Sequence, residues 1–312
     1  MSAVSNSLNT ETIEEGLNEV FFDNYNQEMH PSDAKLSDVF MEEKSKKRAE
    51  YDLEMQGVGP FTSKGEEEDI NEDLITEKYK TTYVNSTFAN SVPVTKEYVE
   101  DELYNLIKDF VADLGDAARD TQYDNAFSVY RNAFSSSYLG ADGKSLCADD
   151  HPRGWGGTLD NKLTAKLNSD TLDQMIVALQ QQTTHSNRVL SNMPAILLVP
   201  PARFKMASEL TEAKLQAGTG NNDPNIYSSK YGITVKMSPY IATFKSGSDD
   251  YAFLLARRHK IKRFIRVALE TWMTPWDMSR KTVSYYNARY RESVGWSAPT
   301  GIVGTTGTTG SY

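Results

Sequence analysis

The 312-residue chain carries 43 acidic against 33 basic side chains, a net charge of -10, and a single cysteine, Cys147. One thiol excludes an intramolecular disulfide and any multi-cysteine zinc site, and the acidic balance is the reverse of what gripping nucleic-acid phosphates asks for. No apolar run approaches the roughly 20 residues that cross a bilayer, and the polar residues 1–10 lack the charged-then-apolar layout of a secretory signal, so a soluble, cytoplasmically made protein with no membrane partner is expected.

The charge is unevenly spread. Residues 1–77 hold 20 acids and 6 bases, and the remainder is slightly basic. An acidic arm on a near-neutral body is the first sign of an interaction segment.

Thr12-Ile13-Glu14-Glu15 has capping-box spacing, and Ile13, Leu17, Val20 and Phe21 follow at helical intervals, so a short amphipathic helix is expected. Ser32 opens a second candidate helix, followed by the charged run 42–48. Neither can bury its apolar stripe against anything nearby in sequence; each needs the body of the protein or a neighbouring copy. Residues 51–61 and 78–88 read as strands, with Tyr51, Leu53 and Met55 alternating on the first and Tyr79, Thr81 and Tyr83 on the second. The acidic stretch 63–73 between them makes this a long hairpin with a charged tip, and a lone hairpin is marginal in water.

Thr95 caps the strongest helix pattern, with Val99, Leu103, Leu106, Ile107, Phe110, Leu114, Ala117 and Ala118 on one stripe and Gly115 as a candidate bend. Residues 138–157 are rich in Gly and Asp and read as loop, and Ser169 is placed to cap a helix through Leu172, Met175, Ile176 and Leu179. Residues 195–199 form a short apolar strand closed by Pro200-Pro201, with Pro201 suited to the first position of a helix over 202–216. Residues 233–237, 251–255 and 281–296 read as further strands, and the Gly/Thr tail 301–310 as low complexity. Ordering such a tail costs about 1–2 kcal/mol per residue, which assembly contacts would have to offset. Strands and helices mix without βαβ regularity, so the fold class expected is α+β.

Three groupings invite chemistry. Cys147 and His151 beside Asp149 and Asp150 suggest a thiol hydrolase, but closeness within a loop does not hold a base against a nucleophile, and a packed thiol with a turn histidine is the plainer reading. Gly140, Gly143, Gly154, Gly156 and Gly157 lack the strand–Gly-Lys-Ser/Thr–helix order of a phosphate loop, and His30, His151, His185 and His259 share no ligand spacing. No catalytic residue, metal or cofactor is therefore expected. Arg257, Arg258, Lys260, Lys262 and Arg263, with His259 and Arg266, form the largest basic cluster; interleaved with Ile261, Phe264, Ile265 and Val267, it reads as a half-buried strand with a charged face, open to DNA or to an acidic partner such as the N-terminal arm.

The order Gly140-Ala141-Asp142-Gly143, Leu146-Cys147, His151-Pro152, then residues 194–201 with their paired prolines, then Asn222-Asp223 and Asn225 before a strand, resembles the major capsid proteins of tailed bacteriophages, including the major head subunits of Mu-like phages. The resemblance spans roughly residues 95–303. It implies the HK97 fold, with an N-terminal arm (1–49), an extended loop (50–93), a peripheral domain with a spine helix (94–170 and 276–312) and an axial domain (171–275). It further implies pentamers and hexamers in an icosahedral head around double-stranded DNA, assembly in the host cytoplasm, and portal and decoration proteins as partners. A separate scaffolding protein is expected, since little chain precedes the hairpin. Candidate intersubunit contacts are Ile13, Phe21, Tyr51, Leu53 and Phe61, with Glu66, Glu67, Glu68 and Asp69 at the tip. An encapsulin-like shell shares the implied fold, and a cytosolic hydrolase using Cys147 and His151 is the alternative from another class.

Overall fold

The structure, a computed structural model, describes residues 10–70, 72–73, 76–101, 104–213, 225–276 and 282–309. In chain order its elements are helices α1 (Thr10–Tyr25) and α2 (Leu36–Val39), strands β1 (Met41–Lys44), β2 (Ala49–Met55), β3 (Glu77–Val84) and β4 (Ser86–Thr95), and helices α3 (Lys96–Glu100) and α4 (Tyr104–Arg131). There follow β5 (His151–Pro152), β6 (Thr158–Leu159), β7 (Lys162–Ala165), α5 (Ser169–Gln180), β8 (Pro194–Val199), α6 (Pro201–Thr211) and β9 (Thr234–Met237). The last four strands are β10 (Ala252–Ala256), β11 (Ile261–Met273), β12 (Val283–Trp296) and β13 (Ile302–Thr309).

Two sheets organise the body. One has the order β1-β11-β12-β4, with β11 and β12 antiparallel from Ile261↔Trp296 to Met273↔Tyr286, and β4 antiparallel to β12. The long helix α4 packs over it and α1 lies beside α4, so Ile13, Leu17 and Phe21 meet Ile107, Val111, Leu114 and Tyr286 in one core. α4 runs without a break through Gly115. This glycine lets α1 approach, because a Cβ there would stand 2.7 Å from the Phe21 carbonyl oxygen. The stripe position Leu103 lies outside the described residues.

The other sheet has the order β7-β13-β10-β8-β9, with α5 and α6 against it and Leu172, Met175, Leu197, Val199, Leu254 and Val303 as core. Its local chemistry is simple. Asn168, one residue ahead of the expected Ser169, caps α5 by accepting from the Thr171 N–H at 2.7 Å, and Pro201 sits in the first turn of α6 where its missing N–H costs nothing. A third core joins the two sheets: Phe40, Phe127, Tyr130, Phe253 and Trp296 pack together, and the Tyr130 hydroxyl donates to the Val39 carbonyl at 2.6 Å.

The α+β class stands, and several local expectations change. The second N-terminal helix shrinks to α2, and part of the charged run after it becomes β1, parallel to β11 from Met41↔Lys262 to Lys44↔Ile265. The Gly/Thr tail is not a low-complexity appendage. Residues 302–309 form β13 between β10 and β7, where Gly304 meets Cys147, Phe134 and Phe253 so closely that a Cβ would lie 2.9 Å from each. Small residues are what that strand position tolerates, and ladder hydrogen bonds to the body, not to a neighbour, offset the cost of ordering it. A division at 170 and 275 cuts across the strand pairing: β11 shares a sheet with β12, and β13 with β10.

Candidate assembly surface

The antiparallel pair β2–β3, in register from Ala49↔Val84 to Met55↔Glu77, stands apart from both body sheets. Alternation along β2 sends Tyr51, Leu53 and Met55 outward, where they are 58%, 42% and 42% exposed. Asp52 and Glu54, the residues between them, face the body. The apolar side of β2 is thus its solvent side, an inversion of the ordinary amphipathic strand, whereas β3 turns Tyr79 and Tyr83 inward onto His185 and Phe264. Val58, Phe61 and Ile70 continue the exposed apolar set beyond the strands, and Phe61 is fully exposed.

Charged contacts fix the root to the body. Lys262 pairs with Asp52 at 2.9 Å and with Glu43 at 3.1 Å. Burial opposes ionisation of Asp52, but hydrogen bonds from Lys262 and Ser297 and the charges of Lys262 and Lys260 outweigh it and hold the carboxyl below its ordinary value. Further out, Glu54 lies 2.9 Å from His185 Nε2 and 3.4 Å from Arg153 Nη1. The Gly154 N–H donates to His185 Nδ1 at 3.1 Å, which leaves Nε2 to carry the proton that Glu54 accepts. Ser186 Oγ completes the dock by donating to the carbonyls of Gln56 (2.9 Å) and Gly57 (2.6 Å). Arg153 is buried, yet its Nε and Nη2 have no hydrogen-bond partner.

The basic cluster divides in two. Arg263 is buried between Glu292 (2.6 Å) and Glu42 of β1 (2.6 Å), and these two carboxylates outweigh its desolvation to raise its pKa. Lys262 is held by Glu43 and Asp52. Arg257, Arg258 and Lys260 stay exposed on the turn between β10 and β11, and no carboxylate among the described residues pairs with them.

The other sequence candidates resolve as follows. Ile13 and Phe21 are fully committed to the chain's own core and have no surface left for a neighbour. Glu66, Glu67, Glu68 and Asp69 are exposed at the hairpin tip. Cys147 is buried, which pushes its thiol far up, and His151 turns its Nδ1 to Asp142 at 2.6 Å. The hydrolase alternative lacks its nucleophile–base pair. His259 is buried as well and pushed down to about 4, and no group of His, Cys, Asp and Glu among the described residues is arranged to hold a metal ion. The Gly-Ala-Asp-Gly, Leu-Cys and His-Pro elements converge as structure: Asp142 holds His151, Leu146 and Cys147 enter the central core, and Gly140 packs against the Trp296 ring. Asn225 donates to the Leu210 carbonyl at 2.7 Å, while Asn222 and Asp223 lie outside the described residues. What sequence reasoning missed is the dock of Arg153 and His185 on Glu54, for which no local signal exists, since the partners are 99 and 131 positions apart from it.

A family model described as phage capsid protein matches residues 78–305. The fold is similar to that of a virus-like particle from Pyrococcus furiosus, at 11% identity over 93% of this chain and 98% of that chain, with a TM-score of 0.56. It is also similar to the capsid of cyanophage P-SCSP1u (10% identity, 89% of each chain, TM-score 0.58) and to a structure of Microbacterium phage Oxtober96 (10% identity, 89% and 92%, TM-score 0.52). No curated protein sequence matches the chain.

Proposed function

The chain belongs to the phage capsid protein family and is a major capsid protein of HK97-type fold, and from that premise we propose that its copies close into an icosahedral head by laying the β2–β3 hairpin of each across a neighbour. The observation that carries this is the outward apolar row Tyr51, Leu53, Met55, Val58, Phe61 and Ile70 on a two-stranded element that has no core of its own. Burying such a row gains about 25 cal/mol per Å² of apolar area, so a few hundred square ångströms gives several kcal/mol at every subunit. Head-to-tail contacts of this kind generate closed rings, here pentamers and hexamers.

In this reading the four-stranded sheet with α4 forms the peripheral unit and the five-stranded sheet with α5 and α6 the axial unit. The N-terminal segment serves inside the subunit, through α1 and β1, as well as between subunits. Double-stranded DNA fills the shell, a separate scaffolding protein guides assembly, and portal and decoration proteins complete the virion, which forms in the host cytoplasm. The family match favours a phage head over an encapsulin-like compartment.

Size-exclusion chromatography and negative-stain microscopy of the purified full chain test the reading. Closed particles are expected from the wild-type chain, and only folded small species from Tyr51→Ser/Leu53→Ser/Phe61→Ser. A wild-type chain that stays monomeric at high concentration, or a triple variant that forms normal shells, overturns it.

A further inference from the structure

Resting on the shell reading, we infer that the acidic hairpin tip of one copy docks on the exposed basic turn between β10 and β11 of a second copy. Residues 57–76 hold six carboxylates, Glu66, Glu67, Glu68, Asp69, Glu72 and Asp73, against the single Lys64. Every residue from 61 to 70 is exposed. The tip is nevertheless shaped: the Gly59 N–H donates to Asp73 Oδ2 at 2.7 Å and the Gly65 N–H to Glu68 Oε2 at 3.0 Å. That leaves Glu66, Glu67 and Asp69 with no cation within ion-pair distance among the described residues.

Complementary charge lies on a fixed turn, apart from the exposed Lys44, Lys46, Lys47 and Arg48 that lead into the hairpin itself. Arg257, Arg258 and Lys260 are exposed, whereas the cations that follow them, Lys262 and Arg263, are already neutralised inside the chain. The turn is backed by the buried His259, against whose Cα Gly301 packs so closely that a Cβ would stand 2.7 Å away. Three cations held on a braced turn, with no carboxylate in ion-pair contact among the described residues, are a site whose anionic partner is missing.

The tip of the same chain does not fill this role, since none of its described carboxylates pairs with the turn. Lys260 lies at the hairpin root, near enough to Asp52 to stabilise that carboxylate. From Asp52 the chain runs outward to Glu66, and at about 3.3 Å per extended residue the tip stands up to about 45 Å from the root. Root and tip are opposite ends of one element. A head-to-tail ring brings the tip of each copy to the root of the next, which is where the three cations wait. Pairing there also removes a cost, because unpaired tips carrying this many like charges would repel one another around every ring.

A charge exchange tests the pairing in full-length chains. Glu66→Lys/Glu67→Lys/Glu68→Lys/Asp69→Lys and, separately, Arg257→Glu/Arg258→Glu/Lys260→Glu should each lower closed-particle yield at least tenfold while the subunit keeps its circular-dichroism spectrum. The chain carrying both sets should return to within threefold of wild type. Cys147 is buried, so an Asp69→Cys/Lys260→Cys chain offers one accessible pair and should give a ladder of disulfide-linked oligomers that neither single substitution gives. Unchanged yield from either reversal, loss without recovery in the combined chain, or no ladder from assembled particles overturns the pairing while leaving the shell reading intact. A wild-type chain that forms no particles overturns both.

Discussion

Glu54, on the inward face of β2, meets the buried guanidinium of Arg153 at 3.4 Å and is the only carboxylate that contacts it among the described residues. Removing one partner of a buried pair costs about 3–5 kcal/mol, because the other charge is left without compensation, whereas replacing both with apolar groups is often close to neutral. Glu54→Gln should therefore free the hairpin from the body. Limited proteolysis should then cut at residues 56–76 several times faster than in wild type, and Glu54→Leu/Arg153→Met should restore protection. Equal cleavage in Glu54→Gln and wild type would show that the dock does not depend on the charge pair.

Phe21 belongs to the core beneath α1, stacking on Tyr25 at 6.3 Å between ring centroids and tilting on Tyr286 at 6.0 Å. Truncating a buried phenylalanine costs about 3–5 kcal/mol. Phe21→Ala is expected to lower the unfolding free energy of the unassembled subunit by that amount in urea titration. A change confined to assembly, with no loss of subunit stability, would return α1 to the role of a free arm.

His259 is neutral in its buried site, with its pKa pushed from 6.5 down to about 4 by burial. A group that resists protonation in the folded state, but not in the unfolded one, leaves stability flat above pH 6.5 and lowers it as pH falls from about 6.5 to about 4. The loss should be on the order of 2–3 kcal/mol at the acid end. Denaturation midpoints at pH 7 and pH 4.5 measure it, and His259→Leu should reduce the difference between them. If that variant retains the full acid loss, another group is responsible.

Gly304 leaves no space for a methyl group between Cys147, Phe134 and Phe253. Overpacking a filled core costs typically 1–3 kcal/mol, so Gly304→Ala should lower the melting temperature of the subunit by several degrees. Gly57→Ala meets open space and strains only its own positive φ, which makes it the control for backbone conformation.

What the sequence made legible follows from how far each signal reaches. The hairpin, the long helix, the apolar strand 194–199 and the half-buried cationic strand were all readable, because alternation and helical spacing are local. The same alternation could not say which face of β2 meets the body. Period two separates Tyr51 and Leu53 from Asp52 and Glu54, but the side that docks is decided by Lys262, Arg153 and His185, all about a hundred residues or more away. The burial of Ile13 and Phe21 was hidden for the same reason, since α4 begins about eighty residues after α1 ends. The tail misled through composition: glycine and threonine suggest a flexible segment, and only the packing of Phe134, Cys147 and Phe253 shows why small residues are required there.

The place of β13 sets the order in which the molecule can be made. It lies between β10 and β7, and its parallel partner β7 was synthesised well over a hundred residues earlier. Until residues 302–309 leave the ribosome, β10 has an unpaired edge and Ile302 is missing from the core that holds Phe253 and Leu255. Sheets closed by such distant segments fold slowly and pass through states with exposed edges. Translation itself therefore acts as a checkpoint, because a nascent chain cannot present a finished building block until this strand has been inserted.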